Sequence, residues 1–173
     1  MKRSILLTAV AGSGKSTACQ ALQAAGCAAL DIETIPELYE LVDEQTGQVV
    51  AGGMDQITDG VEWHCNTAKL RTIIDRAAPE LTIYCGGMSN TEEVWDIFDA
   101  VIVLTVSDQT TASRLATRRA GEFGSTKTNR DWVLSWKHQV EQDWFNLGGI
   151  PVSAEATPKE VAKLIITAAH QIT

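Results

Sequence analysis

Lys15 follows Gly12-Ser13-Gly14 and precedes Ser16-Thr17. A turn of small residues ending in a cation and two hydroxyls is suited to holding phosphate. Glycines let the backbone turn tightly, so that successive N–H groups point inward at phosphate oxygens. A helix opening at Lys15 adds its positive end. Lys15 would reach the β- and γ-phosphates of a nucleotide. The Ser16 hydroxyl would join the shell of Mg²⁺, which favours hard oxygens, and Thr17 would touch the α-phosphate. The stretch departs from G-x-x-x-x-G-K-[ST] at one place, where Ala9 stands for the first Gly. Ala9 precedes the tightest part of the turn and is tolerable there if its φ stays negative. The alternative is a Gly-rich turn without function.

Further groups could act beside that loop. Asp31 and Glu33 end the second apolar run. Residues two apart on a strand share a face, so both carboxylates would point the same way. The alternative is a solvated pair at a strand end. Arg114 and Arg118 are four apart and share a helical face, although a basic helix end also complements the helix dipole. Gly86 and Gly87 leave backbone room for a ligand, or are only a turn. Trp63, His64, Asp55 and Arg71 could line an acceptor pocket, with Trp63 stacking on a base or a sugar face; a packed Trp and a surface His are the alternative. Trp132, Trp136 and Trp144 recur at helical spacing and read as core, with His138 and Glu141 as surface partners on the same helix.

The elements that must position these residues follow from the apolar pattern. Residues 4–10, 28–32, 81–85, 100–106 and 150–154 are short apolar runs of strand length. Between them lie helical stretches. One opens at the phosphate loop and stops at Gly26, and one covers residues 35–44 with Pro36 in its first turn. Others cover 67–78, the segment capped by Ser89 and Glu92, the segment from Ser107 to about Arg119, and residues 130–147 capped by Thr128 or Asp131. The last opens at Thr157-Pro158, with Glu160 completing a capping box. Residues 46–61 read as a loop and 120–129 as a polar, Gly-containing mobile segment. Apolar strands alternating with helices indicate an α/β fold with a parallel sheet covered on both faces. Right-handed crossovers bring the loops after the first three strands to one sheet edge.

Composition bounds the partners. The 173 residues carry a net charge of -8, which disfavours nucleic acid and anionic membranes. No apolar stretch is long enough to span a bilayer, and the apolar start is too short for a signal peptide. The four cysteines at 19, 27, 65 and 85 show no C-x-x-C spacing, which points to free thiols and a cytoplasmic protein rather than a zinc site or a disulfide framework.

With "GSGKST", "DIE", "CGG-x-S-N", "RLATRR" and the final "ATP" before the last helix, the chain resembles the small P-loop kinases of the adenylate, shikimate and gluconate kinase group. It is also similar to a bacterial branch of AAA-type or adenylate-kinase-like nucleoside kinases. The resemblance spans nearly the whole chain. It implies one domain over 1–173, a three-layer P-loop NTPase fold with a five-stranded parallel sheet in order 2-3-1-4-5, and a lid near 119–130. It implies ATP and Mg²⁺, bound through Gly12, Ser13, Gly14, Lys15, Ser16 and Thr17. By resemblance, Asp31 orients Mg²⁺ or its water and Glu33 holds or deprotonates the acceptor hydroxyl. Arg114 lies against adenine and Arg118 clamps phosphates. Gly86 and Gly87 sit where shikimate kinases carry a glycine run beside their acceptor. The shikimate-kinase F-R-x-x-E and the adenylate-kinase D-G-[FY]-P-R motifs are both missing, so shikimate and AMP lack support as acceptors.

The expected activity is transfer of a phosphoryl group from Mg-ATP to a small-molecule acceptor such as a nucleoside, nucleotide or sugar-like compound, by a monomer or homodimer. The rival expectation is a nucleotide-binding switch or slow NTPase acting through a protein partner. Lys15→Ala is expected to abolish phosphoryl transfer while the fold is retained. Circular dichroism and a turnover assay on one preparation check this, and full activity in the folded variant would remove the phosphate-loop reading.

Overall fold

The computed structural model describes residues 2–52, 57 and 60–172. β1 (Arg3–Ala9), β2 (Ala29–Asp31), β6 (Leu81–Cys85), β7 (Ala100–Thr105) and β8 (Ile150–Ser153) form one sheet in the order β2-β6-β1-β7-β8. Every pairing in it is parallel. Taken in chain order, its strands run 2-3-1-4-5, as expected. Alternation explains why β1 reads apolar throughout. Ile5, Leu7 and Ala9 pack in a cluster with Cys19 and Leu22 of α1 (Lys15–Ala24) and Val161 and Ile165 of α6 (Pro158–Gln171). Leu6, between them, joins the opposite cluster with Leu115 of α4 (Asp108–Ala116) and Val133 and Trp144 of α5 (Lys127–Asn146). Both faces of the strand are therefore removed from water.

The segment after β2 departs from the sequence expectation. Residues 35–44 do not form a helix. They contain β3 (Tyr39–Asp43), the central strand of a second, antiparallel sheet ordered β4-β3-β5, with β4 at Val49–Val50 and β5 at Val61–Cys65. Two features override the helical spacing. Glu37 takes a φ of +58°, the one positive φ of a non-Gly residue among those described, which breaks a helix started at Pro36. Tyr39, Leu41 and Asp43 then pair with Cys65, Trp63 and Val61, partners too distant in sequence for local periodicity to register. The expected loop at 46–61 accordingly holds β4 and the first residue of β5. Asp55 lies outside the described residues.

Helix boundaries follow their caps. α2 (Thr67–Arg76) is capped by Asn66, whose side chain accepts from Lys69 N–H. Ser107 caps α4 through Thr110 N–H. Thr157 N–H and Oγ1 both donate to the Glu160 carboxylate at the start of α6. Two expected caps are replaced. α5 is capped by Thr126, which accepts from Asn129 N–H, so Thr128 and Asp131 lie inside the helix. The Ser89 hydroxyl accepts from Trp63 N–H instead of capping α3 (Thr91–Trp95), which begins after Asn90. α4 ends at Ala116, two residues before Arg118.

The second sheet is tied down by the turn after β6. Ser89 N–H donates to Trp63 O at 2.8 Å. Asn90 makes a two-bond fork to Cys65, accepting from its N–H at 2.9 Å and donating to its carbonyl at 3.0 Å. Gly86 is the hinge of this contact. A Cβ there would lie 2.5 Å from Ile32 Cγ1 and 2.7 Å from the Tyr39 hydroxyl, so its smallness lets the second sheet seat against the first. Gly86→Ala is expected to lower stability by about 1–3 kcal/mol through overpacking. A chemical denaturation midpoint equal to that of the parent would contradict this role.

Candidate active site

β1 delivers the chain to the sheet edge at Ala9, where the phosphate loop begins. Ala9 is buried and its φ is negative, so the missing first glycine does not distort the turn. The positive φ falls at Gly12 (+88°) and Gly14 (+91°), where an L side chain is strained. Space is also short at both. A Cβ on Gly12 would come within 3.1 Å of Thr111 O, and one on Gly14 within 3.0 Å of Arg114 Nη1. α1 opens at Lys15 with no side-chain cap. The first N–H groups of a helix have no intrahelical acceptor, so those of Lys15, Ser16 and Thr17 face the cleft as free donors. Ser16 and Thr17 are exposed there.

Arg114 closes the loop from outside. It donates from Nη1 to Ser13 O at 3.0 Å and from Nη2 to Ala154 O at 2.9 Å. One planar fork thus joins the phosphate loop to the end of β8. Arg118 does not share this position, because α4 ends before it. Its Nη1 donates to Phe123 O, and Phe123 lines the cleft. Burial lowers the Arg118 pKa from its ordinary value, opposed by the Glu122 and Glu33 carboxylates. Arg118 and Glu33 therefore share one field.

The expectation that Asp31 and Glu33 point the same way does not hold. The chain leaves β2 at Asp31 and enters a 3₁₀ turn over Ile32–Thr34. The Asp31 carboxylate accepts from Glu33 N–H at 3.2 Å and shapes that turn. Glu33 is the one swung toward the loop. Its Oε1 lies 2.7 Å from Lys15 Nζ and accepts from Gly87 N–H at 2.7 Å. Both ionic side chains are largely buried, with 11% and 16% exposure for Lys15 and Glu33. A Cβ on Gly87 would come 3.4 Å from Glu33 Oε1. The pair of glycines thus divides its work: Gly86 packs, and Gly87 offers an N–H to the carboxylate.

Lys15, Glu33, Gly87, Arg114 and Arg118 line an open cleft of about 1080 Å³, whereas Asp31 and Gly86 do not. One wall is the second sheet. Trp63 stacks on Tyr39 with ring centres 5.1 Å apart and 6° between planes, and His64 Nε2 lies 2.6 Å from Glu62 Oε2. Burial, with the Cys65 thiol and the Glu33 carboxylate adding to it, pushes the Tyr39 hydroxyl well above its ordinary pKa and keeps it protonated. The other wall is aromatic. Phe123 meets Trp132 edge-on, and Trp132 meets Trp136 in the same way. Trp144 is buried in the core, as its spacing suggested, but Trp132 and Trp136 are half-buried, and all three line the cleft. A repeat of four shows that residues share a helix face, not whether the face meets core or cleft.

Two other expectations are corrected. Arg71 is exposed on α2 and does not line the cleft. Glu141 is buried, not a surface group, and lies 3.3 Å from the buried Lys137. Lys137 also pairs with Asp108 at 3.2 Å, and His138 meets Asp108 at 2.9 Å. Those contacts hold the Asp108 carboxyl below its ordinary value, the His138 hydrogen bond first and Lys137 next. They bind α4 to α5 behind the cleft. Of the residues that sequence reasoning missed, Glu62 and Tyr39 belong to the sheet concealed by the helical spacing of residues 35–44. Phe123 lay in a segment read only as mobile.

The donor set suits magnesium with a nucleotide. Among the described residues no three His, Cys, Asp or Glu side chains gather as a metal cage. The hydroxyls of Ser16 and Thr17 stand in the phosphate loop, with the Glu33 carboxylate beside it at Lys15. Mg²⁺ is commonly held in this way, by one or two protein oxygens with phosphate oxygens and water completing the shell.

Residues 5–143 match the family described as the AAA domain. No curated protein matches the chain. Among solved structures, a shikimate kinase from Acinetobacter baumannii aligns with a TM-score of 0.59 at 15% identity, covering 99% of this chain and 94% of its own. A deoxyadenosine kinase from M. mycoides gives 0.54 at 18%, covering 98% and 100%. A gluconokinase from Sinorhizobium meliloti 1021 gives 0.53 at 16%, covering 98% and 92%. At these identities the likeness is one of fold, and the fold is that of small P-loop kinases.

The Arg114 fork yields a test. Arg114→Lys retains the charge but cannot bridge two carbonyls in one plane. It is expected to weaken Mg-ATP binding by about tenfold, the size of one charge-assisted hydrogen bond. Isothermal titration checks this, and unchanged affinity would mean that the fork does not hold the loop in its binding shape.

Proposed function

The chain belongs to the AAA domain family, and from that membership and the cleft we propose that it is a small-molecule kinase moving the γ-phosphoryl group of Mg-ATP to a hydroxyl or phosphate of a small acceptor. The observation that carries this is Glu33. A nucleotide-binding switch also needs a phosphate loop and can use a carboxylate beside its lysine, but it needs no acceptor pocket, and here Glu33, 2.7 Å from Lys15, opens onto a walled cleft of about 1080 Å³.

The roles follow from position. The N–H groups at the start of α1 and Lys15 bind the phosphates. Ser16, with Asp31 acting through water, would hold Mg²⁺, which would supply charge neutralisation at the transferred group. Glu33 orients the acceptor and takes its proton. For a hydroxyl acceptor, the bond from acceptor oxygen to γ-phosphorus forms as the β–γ bridging bond breaks. The hydroxyl proton passes to the Glu33 carboxylate, and ADP leaves. Lys15 holds Glu33 until phosphate oxygens compete for its ammonium, so the base is released where a donor is bound. Arg118 meets the charge on the transferred group, and the 119–130 segment closes as a lid that excludes water. Gly87 N–H keeps Glu33 in register throughout.

Glu33→Gln preserves the shape and the Gly87 contact but removes the base. It is expected to lower kcat by about 10²-fold or more while Mg-ATP affinity changes little, and raising Mg²⁺ should not restore turnover. ADP release in the presence of a broad acceptor panel measures this. A kcat equal to that of the parent would move the base elsewhere.

A further inference from the structure

The charges lining the cleft are divided. Among its described lining residues, the only Lys and Arg are Lys15, Arg114 and Arg118. Lys15 belongs to the phosphate loop, Arg114 is spent on two carbonyls beneath it, and Arg118 is bound to Phe123 O. The opposite end, formed by the second sheet and the turn before α3, is lined by Glu44, Glu62, Glu92 and Glu93. Residues 44–62 contain no Lys or Arg at all, and Arg71 points away. The one basic group on that wall, His64, is tied to Glu62 at 2.6 Å. The same end presents Trp63 stacked on Tyr39, and an indole face attracts a cation.

Resting on the kinase reading above, we infer that the acceptor is an alcohol bearing a protonated amine, such as an amino sugar or an aminated nucleoside, and carries neither phosphate nor carboxylate. An acceptor phosphate or carboxylate at that end would lie among Glu44, Glu92, Glu93 and a Glu62 already bonded to His64, with no Lys or Arg to receive it. Glu44, Glu92 and Glu93 are exposed and Glu62 is half-buried, so salt screens part of this repulsion. An ammonium in the same place gains those carboxylates and the indole face. This separates the chain from a phosphotransferase acting on a nucleotide or a sugar acid, even though its fold is shared with kinases of several acceptor types.

The test compares matched acceptors in two frames: glucosamine, glucose and gluconate, and 3′-amino-3′-deoxyadenosine, adenosine and AMP. Transfer of label from γ-labelled ATP gives kcat/KM for each, at low and at high salt. The amine is expected to exceed its neutral parent by about tenfold or more in at least one frame, with the anion lowest and the spread narrowing as salt rises. Glu62→Gln and Glu92→Gln, made separately, are expected to shrink the advantage of the amine about threefold each, with the neutral parent little changed. Transfer to an anionic member at least as fast as to the amine overturns this inference and leaves the kinase reading standing. So does a neutral parent that equals its amine in both frames. No transfer to any member, by protein that binds Mg-ATP, overturns both.

Discussion

One carboxylate organises the candidate site. Glu33 joins the phosphate loop, through Lys15, to the turn after β6, through Gly87 N–H. Two segments distant from it in sequence converge on one oxygen, Oε1. An ion pair shielded this far from water is worth its desolvation cost only when further hydrogen bonds satisfy the remaining lone pairs. Gly87 supplies one of these. The absence of a side chain at Gly87 and at Gly86 lets the turn approach closely enough to do so.

The same turn carries the second sheet. Ser89 and Asn90 bind β5 through backbone-directed hydrogen bonds, so the wall opposite the phosphate loop is held by the segment that holds Glu33. Residues 86–90 therefore position both the Glu33 carboxylate and that wall. The other wall is set differently. Lys137 pairs with Asp108 and Glu141 and fixes α5 against α4, while Phe123, Trp132 and Trp136 pack edge to face above it. Arg118 joins that wall through its hydrogen bond to Phe123 O.

Electrostatics divides the work between the ends. Cations gather where phosphates bind, and carboxylates gather where the acceptor would enter. A chain with net charge -8 would repel a polyanion over most of its surface. The helix N-terminus and Lys15 overcome that repulsion locally, because aligned N–H groups and one shielded ammonium act at contact distance.

The strand order came only from the resemblance to small P-loop kinases, whereas the sequence by itself determined the parallel sheet and the phosphate loop. These are written in local terms: apolar runs of strand length, a glycine turn, a lysine at a helix start. It also placed Glu33 in the right neighbourhood, through its spacing from the second apolar run. What it did not determine was decided by contacts between distant segments. Residues 35–44 have helical spacing, yet pairing with Val61–Cys65 and the positive φ at Glu37 make a strand of them. Asp31 and Glu33 diverge because the chain turns between them, and strand periodicity has no way of signalling that turn. Arg71 faces solvent and Trp132 faces the cleft for the same kind of reason. Periodicity fixes which residues share a face, but only packing of one element on another decides what that face meets.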